Sequence, residues 1–284
     1  MMNTSKLQYL APDFLPNCLE ILKKTGKVIL DYYNFDKFEV TTKQDDSPLT
    51  SADIASHKII TSELQKLYPN IPIISEEQKN LPFSDRKNWE TFWLIDPIDG
   101  TKEFIEKNDE FTVNIALIHN HVPIFGAIHA PALDVLYYGY ENQSFKVNNF
   151  LNTTDIENNK ISIKVKKLDI NNITIATSRR HNKEKLSHLI NQVFPKAKTI
   201  PKGSSLKMCL IAEGIADIYL RLGPTSEWDI GAGQAILNSA GGEIYDITSN
   251  ILRYNTKDSL LNPELYAIGD TNINWKSYIE QVPK

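Results

Sequence analysis

Residues 93–101 read Trp-Leu-Ile-Asp-Pro-Ile-Asp-Gly-Thr, and no other stretch constrains the chain so tightly. The apolar run Phe92 to Ile95 has the pattern of a buried strand, and it ends on Asp96. A proline follows, then a second acid, Asp99, and Gly100 allows the chain to turn. Two carboxylates held three residues apart at the exit of an apolar strand repel each other unless a cation lies between them. The ordinary alternative is an Asp-Pro turn carrying solvated acids.

Other acids stand at similar places. Glu76 and Glu77 follow the apolar run Ile71-Pro72-Ile73-Ile74. Asp53 lies at the start of a segment with helical spacing, where an acid also favours the helix dipole. Asp229, in Glu227-Trp228-Asp229-Ile230-Gly231-Ala232-Gly233, opens another such segment, where a capping aspartate is common. Acids gathered at strand ends and helix starts suit hard divalent cations, which take oxygen ligands. With Thr101 beside Asp99, they form a coherent set for a phosphatase using two metals about 3.5–4 Å apart. In that chemistry Asp53 and Thr101 orient and deprotonate a water. The six histidines lack metal-ligand spacing, which speaks against zinc. There is neither a G-x-x-x-x-G-K-[ST] loop nor a G-x-S-x-G elbow.

The periodicity divides the chain in two. Residues 13–33 and 50–68 are expected as amphipathic helices, the second capped by Thr50 or Ser51 and stopped by Pro69. Residues 111–118, 122–130, 134–140 and 143–147 then read as a strand meander. After an Asn-rich loop, strand-like segments (173–177, 197–200, 215–221, 242–246, 265–268) interleave with helical ones (182–194, 204–213, 229–240, about 273–281). The expectation is an N-terminal α+β region, 1–155, carrying most of the acids, and a C-terminal α/β region, 156–284. Seven of the 12 glycines (Gly203, Gly214, Gly223, Gly231, Gly233, Gly241, Gly242) fall within forty residues of the second region, as tight turns or close packing require.

At 284 residues, 41% hydrophobic and 23% charged, the chain can build a core of one or two domains. A net charge of -4 argues against a non-specific nucleic-acid binder. Cys18 and Cys209 cannot make a disulfide framework and read as buried thiols in a reducing compartment. No export signal or membrane span is evident, so a cytoplasmic protein is expected, with peripheral attachment to the inner face of the membrane left open. The oligomeric state is not fixed by any of these features.

Taken together, Glu76-Glu77, the Trp93–Thr101 stretch, and Trp228-Asp229 with Gly231-Ala232-Gly233 resemble the inositol monophosphatase superfamily. That resemblance implies an α/β (α+β) fold, a layered αβαβα sandwich of the inositol monophosphatase/fructose-1,6-bisphosphatase type. It also implies a Mg²⁺-dependent, lithium-sensitive phosphatase holding two or three ions. Asp45–Asp53, Ser75-Glu76-Glu77, Asp99–Ile105, Glu110–Leu117, Gly203–Cys209 and Leu260–Pro263 are similar to the bacterial 3'(2'),5'-bisphosphate nucleotidases. Members of that group remove the 3'-phosphate of adenosine 3',5'-bisphosphate, a by-product of sulfate activation. The implied metal ligands are Glu76, Asp96, Asp99, Asp229 and the carbonyl of Ile98. The implied water-activating pair is Asp53 and Thr101, and Ile98, Asp99, Gly100 and Thr101 would touch the scissile phosphate. Ser204, Ser205, Lys207 and Arg221 would hold a second phosphate, with Ser178 and His181 near the nucleoside.

Two physical arguments accompany that second set. The Gly203-Ser204-Ser205 opening of a helix offers backbone N–H groups to an anion beside Lys207. Lysines are mostly exposed, so the ordinary alternative for Lys207 is a solvated surface position. Arg221 closes a strand, where inositol-specific members carry a glutamate. A cation there fits a second phosphate and disfavours the alternative, another phosphatase of the superfamily acting on inositol phosphates or fructose bisphosphate. A non-catalytic nucleotide or metal sensor is disfavoured by the full set of acids.

Overall fold

The computed structural model describes residues 12–43, 47–79, 81–179 and 183–281. Helix α1 (Phe14–Phe35) is followed by a short hairpin of β1 (Val40–Thr42) and β2 (Pro48–Thr50), and then by α2 (Ser51–Leu67). Next come β3 (Ile73–Ser75), α3 (Phe83–Arg86), β4 (Thr91–Asp99) and α4 (Thr101–Ile105). The meander comprises β5 (Thr112–His119), β6 (Val122–Ala130), β7 (Val135–Tyr140) and β8 (Gln143–Asn148). After α5 (Ile156–Asn159), β9 (Lys160–Ile163) adds to it. The second half runs β10 (Thr174–Ser178), α6 (Lys183–Val193), β11 (Lys198–Lys202), α7 (Leu206–Ala212), β12 (Ile218–Arg221) and α8 (Glu227–Ser239). It ends with β13 (Glu243–Asp246), β14 (Leu265–Ile268) and α9 (Lys276–Ile279).

Strands β3 to β9 form one seven-stranded sheet in sequence order, antiparallel apart from the β3/β4 pair. The other sheet has five strands in the order β11-β10-β12-β14-β13 and is mixed. Alternation along β4 explains the layering. Trp93 and Ile95 point to a core shared with α1 and α2, whereas Phe92 and Leu94 point to a core shared with α7 and α8. That second core also takes Tyr219 and Ala267 from the five-stranded sheet, whose opposite face packs Ile175 and Ile218 against Leu186, Phe194 and Trp275. The result is the five-layer αβαβα order implied by the family resemblance. Two glycines set how closely α8 lies on the larger sheet. A Cβ on Gly126 would fall 2.3 Å from the Ala232 carbonyl oxygen, and one on Gly139 would fall 2.7 Å from the Ile236 Cα.

The structure departs from expectation in four places. Strand β4 does not stop at Asp96 but continues through Pro97 to Asp99, with an irregularity in its pairing to β5 between the two acids. The proline survives in a strand because it sits at that irregularity. The β1–β2 hairpin was not anticipated, since β1 is exposed along its length and carries no apolar period. Strand β9 lies beyond the expected boundary at 155 yet pairs with β8, so the larger sheet runs to Ile163. The terminal helix is only Lys276–Ile279 rather than 273–281. Among the described residues, no helix is long and apolar enough to cross a membrane.

Candidate active site

The bend between β4 and α4 assembles the acids. Asp96 is 1% exposed, Ile98 is buried, and Asp99 faces a cleft of about 220 Å³. Gly100 then adopts φ +87°, the left-handed geometry that turns the chain into α4 at Thr101. Asp229 arrives from the start of α8. One carboxylate oxygen from each of Asp96, Asp99 and Asp229 lies within 4.8 Å of the others. Glu76 follows β3, the parallel neighbour of β4, and its amide donates to the Ile95 carbonyl at 3.2 Å.

The electrostatics of this cluster test whether a cation fits it. Burial raises the carboxyl pKa of Asp96 and Asp229 well above the carboxylate range, and repulsion from neighbouring acids adds to it. Asp99 is also raised, first by burial, while the Ser204 hydroxyl and Lys207 pull it back. Asp96 Oδ1 is buried without a hydrogen-bond partner. An orphaned anionic oxygen among converging carboxylates fits an oxygen-seeking divalent cation. Glu76 accepts from Lys43 Nζ at 2.6 Å, and Lys43 also reaches Glu77 at 2.6 Å. Burial lifts Glu77 to about 7 despite that lysine. The pairing of Lys43 with Glu76 spans 33 positions and left no mark in the local sequence.

Asp53 and Asp229 resolve a choice posed by the sequence. Each is the third residue of its helix and closes a capping box, with Thr50 and with Ser226 respectively. Asp53 Oδ2 accepts from the Thr50 amide at 2.8 Å and from its hydroxyl at 2.5 Å, while Oδ1 accepts from the Thr101 hydroxyl at 3.2 Å. Asp229 Oδ2 accepts from the Ser226 amide at 2.9 Å. Capping uses Oδ2 in both residues, which leaves Oδ1 of Asp53 to accept from Thr101. Burial raises the Asp53 carboxyl, and the two Thr50 bonds oppose that rise. Thr101 Oγ1 also lies 3.4 Å from the Ile98 carbonyl oxygen.

The opposite wall is basic. Lys207, in the first turn of α7, is 6% exposed rather than solvated. Its ammonium donates to the Ser204 and Lys202 carbonyls and lies 5.3 Å from the Tyr219 ring centroid. Burial lowers its pKa to about 8, against the opposing pull of Asp99. Arg221 ends β12, donates to the Pro224 carbonyl at 2.7 Å, and keeps a buried Nε without a hydrogen-bond partner. Ser204 donates its hydroxyl to Asp99 Oδ2 at 2.6 Å, coupling the two walls. Ser178, at the end of β10, lines the same cleft, as do Lys102, Glu103 and Tyr219. His181, Arg180, Asp45 and Asp46 lie outside the described residues.

The expected anion cradle before α7 is corrected in part. The Gly203 amide is already taken by the Glu110 carboxylate at 2.7 Å, and the Ser205 side chain is buried. The Ser205 hydroxyl bonds Asn114 Oδ1 and lies 2.8 Å from that of Thr112. Polar Thr112 and Asn114, fully buried two apart on β5, are the sequence signal for this support and were not read as such.

Comparison with known proteins agrees with this geometry. The profile of the inositol monophosphatase family matches residues 15–279. The 3'(2'),5'-bisphosphate nucleotidase CysQ of Salmonella typhimurium is 40% identical over 250 residues, covering 88% of this chain and 97% of the relative. The CysQ nucleotidase of Buchnera aphidicola is 41% identical, covering 89% and 92%. The crystal structure of CysQ from Bacteroides thetaiotaomicron, a bacterial member of the inositol monophosphatase family, superposes with a TM-score of 0.77 at 35% identity, covering 89% of this chain and 96% of that one. A profile spanning nearly the whole chain, relatives matched over nearly their whole length, and three carboxylates converging at the expected bend lead to one conclusion: the chain belongs to the inositol monophosphatase family.

Proposed function

We propose that this chain is a 3'(2'),5'-bisphosphate nucleotidase, which hydrolyses the 3'-phosphate of adenosine 3',5'-bisphosphate to AMP and phosphate with the aid of Mg²⁺. The observation that carries this reading is the two-walled cleft. Converging acids face one side, and two cations, buried Lys207 and half-buried Arg221, line the same cleft. A singly phosphorylated sugar needs no second cationic wall. The CysQ relatives carry the same activity in their names.

In this reading Glu76, Asp96, Asp99, Asp229 and the Ile98 carbonyl hold the metal. Bound Mg²⁺ would neutralise phosphate charge and acidify the water. Thr101 accepts from the attacking water while its own hydroxyl proton moves toward Asp53 Oδ1, 3.2 Å away. Asp53 suits the role because burial has raised its basicity. Gly100 allows the chain to pass close to the scissile phosphate. Lys207, Arg221 and the Ser204–Ser205 segment hold the other phosphate, with Ser178 and His181 toward the nucleoside. Residues 1–155 would then supply the base and most ligands, and 156–284 the last ligand and the second-phosphate wall. Lithium inhibition, a place in sulfur metabolism and cytoplasmic residence belong to the same proposal.

The test is phosphate release from adenosine 3',5'-bisphosphate with and without Mg²⁺, beside inositol 1-phosphate. Magnesium-dependent release with the bisphosphate preferred is the expected result. Faster turnover of inositol 1-phosphate would refute the assignment within the family.

A further inference from the structure

Glu110 stands just before β5, on the larger sheet, and is 5% exposed. Its carboxylate gathers four donors from the smaller sheet's side. Arg179 grips it with a two-pronged fork, Nε to Oε2 at 2.6 Å and Nη2 to Oε1 at 2.8 Å. Lys202 Nζ donates to Oε1 at 3.0 Å, and the Gly203 amide donates to Oε2 at 2.7 Å. Such charge-assisted, bidentate contacts fix geometry as well as adding energy. Burial alone would raise this carboxyl, but the bonds from Arg179, Lys202 and Gly203 more than offset it and hold it at about 2. It is therefore a carboxylate at neutral pH.

The donors sit next to the cleft. Arg179 follows Ser178, and Gly203 precedes Ser204, and both serines line the cleft. Ser204 bonds Asp99 through its hydroxyl and Lys207 through its carbonyl. Lys202, whose ammonium meets Glu110, also offers its carbonyl to Lys207. Glycine at 203 is what allows the approach, since a Cβ there would lie 2.9 Å from the Glu110 Cβ. The stretch from Lys202 to Lys207 is thus moored at one end by Glu110 and at the other by Lys207.

Resting on the nucleotidase reading, we propose that Glu110 is a positioning residue for substrate recognition: it moors the Lys202–Gly203 end of the second-phosphate segment and the Ser178–Arg179 strand end to the larger sheet. It touches no reacting atom. Its loss lets the basic wall drift from the acid wall, so the bisphosphate can no longer engage both with the same geometry.

The experiment compares the wild-type enzyme with Glu110→Gln, which keeps the shape and removes the charge. The expected result is a rise in KM for adenosine 3',5'-bisphosphate of about tenfold to a hundredfold, the scale of roughly an ångström of misplacement, with kcat changed much less. The dissociation constant for AMP, measured by calorimetry, should rise in parallel. Arg179→Ala should give a smaller rise alone and little further change on top of Glu110→Gln, because the two act through one contact. A fall in melting temperature with KM and AMP affinity unchanged would mark Glu110 as merely structural and overturn the proposal. If Glu110→Gln fails to fold, Arg179→Ala decides by the same two readouts. A wild-type enzyme that neither hydrolyses the bisphosphate nor binds AMP would sink the function reading, and this inference with it. A wild type that does both while neither variant shifts KM would sink this inference alone.

Discussion

Asp96 and Lys207 are both sealed from solvent, at 1% and 6% exposure, yet the protein treats the two charges differently. Lys207 is already solvated by the chain, with two backbone carbonyls and an aromatic ring around its ammonium. Asp96 is not: one of its oxygens is orphaned, and its nearest charged neighbours are other acids. Lys207 has its partners as folded, whereas the acid wall gathers like charges that a cation would offset. Buried charge without compensation destabilises a fold. The acid wall therefore stores an unfavourable term that a bound metal would relieve, whereas on the basic wall the chain's own carbonyls and the charge of Asp99 offset part of the burial cost that lowers Lys207.

The largest effects should come from the acid wall. Asp99→Asn removes a charge from the proposed metal site and is expected to lower kcat by roughly a thousandfold, the scale of losing one charge-stabilising group at the reacting centre. Steady-state phosphate release reads this, and circular dichroism should find the fold intact. Asp96→Asn makes the comparison sharper, because activity and stability should move in opposite directions. Turnover collapses, while the melting temperature without metal rises or holds, and the stabilisation conferred by Mg²⁺ on the native enzyme is lost. A metal-free Asp96→Asn enzyme markedly less stable than the metal-free native one would break the contrast between the walls.

The basic wall should answer more gently and more selectively. Lys207→Ala is expected to weaken the doubly phosphorylated substrate by about 1.5–3 kcal/mol, the range for a hydrogen bond to a charged group. That is about a tenfold to a hundredfold rise in KM. A singly phosphorylated nucleotide should lose much less. Equal losses on both substrates would remove Lys207 from the second-phosphate role.

A pH profile probes the same wall without mutation. Burial lowers Lys207 to about 8, so its charge is present below that pH and disappears as pH rises through it. Because kcat/KM follows the free enzyme, kcat/KM for the bisphosphate should decline above about pH 8 relative to the singly phosphorylated nucleotide. The difference between the two profiles should vanish in Lys207→Ala.

How far these walls were legible in the sequence follows from how local their signals are. The acids at the end of β4 were legible because an apolar run, two aspartates, a proline and a glycine all fall within nine residues. The meander from β5 to β8 was legible for the same reason, period-two patterning with turn residues between strands. The small sheet's order was not, because β11 and β13 become edges through crossovers that adjacent sequence does not encode. Strand β9 was hidden in a polar stretch, with Ile161 exposed on the sheet's last strand. On the basic wall, Lys207 and Arg221 were recognisable as cations. What surrounds them was not: the Tyr219 ring, the bond from Ser204 to Asp99, and the grip of Glu110 on Gly203 join residues far apart in the chain.

The smallest expected effect lies where capping and catalysis share one side chain. Thr50→Val keeps the shape and the β-branch but removes the hydroxyl that donates to Asp53 Oδ2 and that accepts from the Asp53 amide. Losing that cap should cost about 1 kcal/mol of stability, read as a modest fall in melting temperature. The kinetic consequence has a definite sign. The Thr50 hydroxyl opposes the burial that raises the Asp53 carboxyl, so its removal raises that carboxyl further. In the proposed mechanism Asp53 must be ionised to take a proton from Thr101, and the acid limb of the kcat profile should therefore shift to higher pH, with the plateau little changed. Ser226→Ala provides the contrast, since it loosens the corresponding cap on Asp229 without touching the proton acceptor. It should lower stability by a similar amount and leave the acid limb where it was. An acid limb that moved equally in both variants would mean that helix capping, not the proton acceptor, sets the profile.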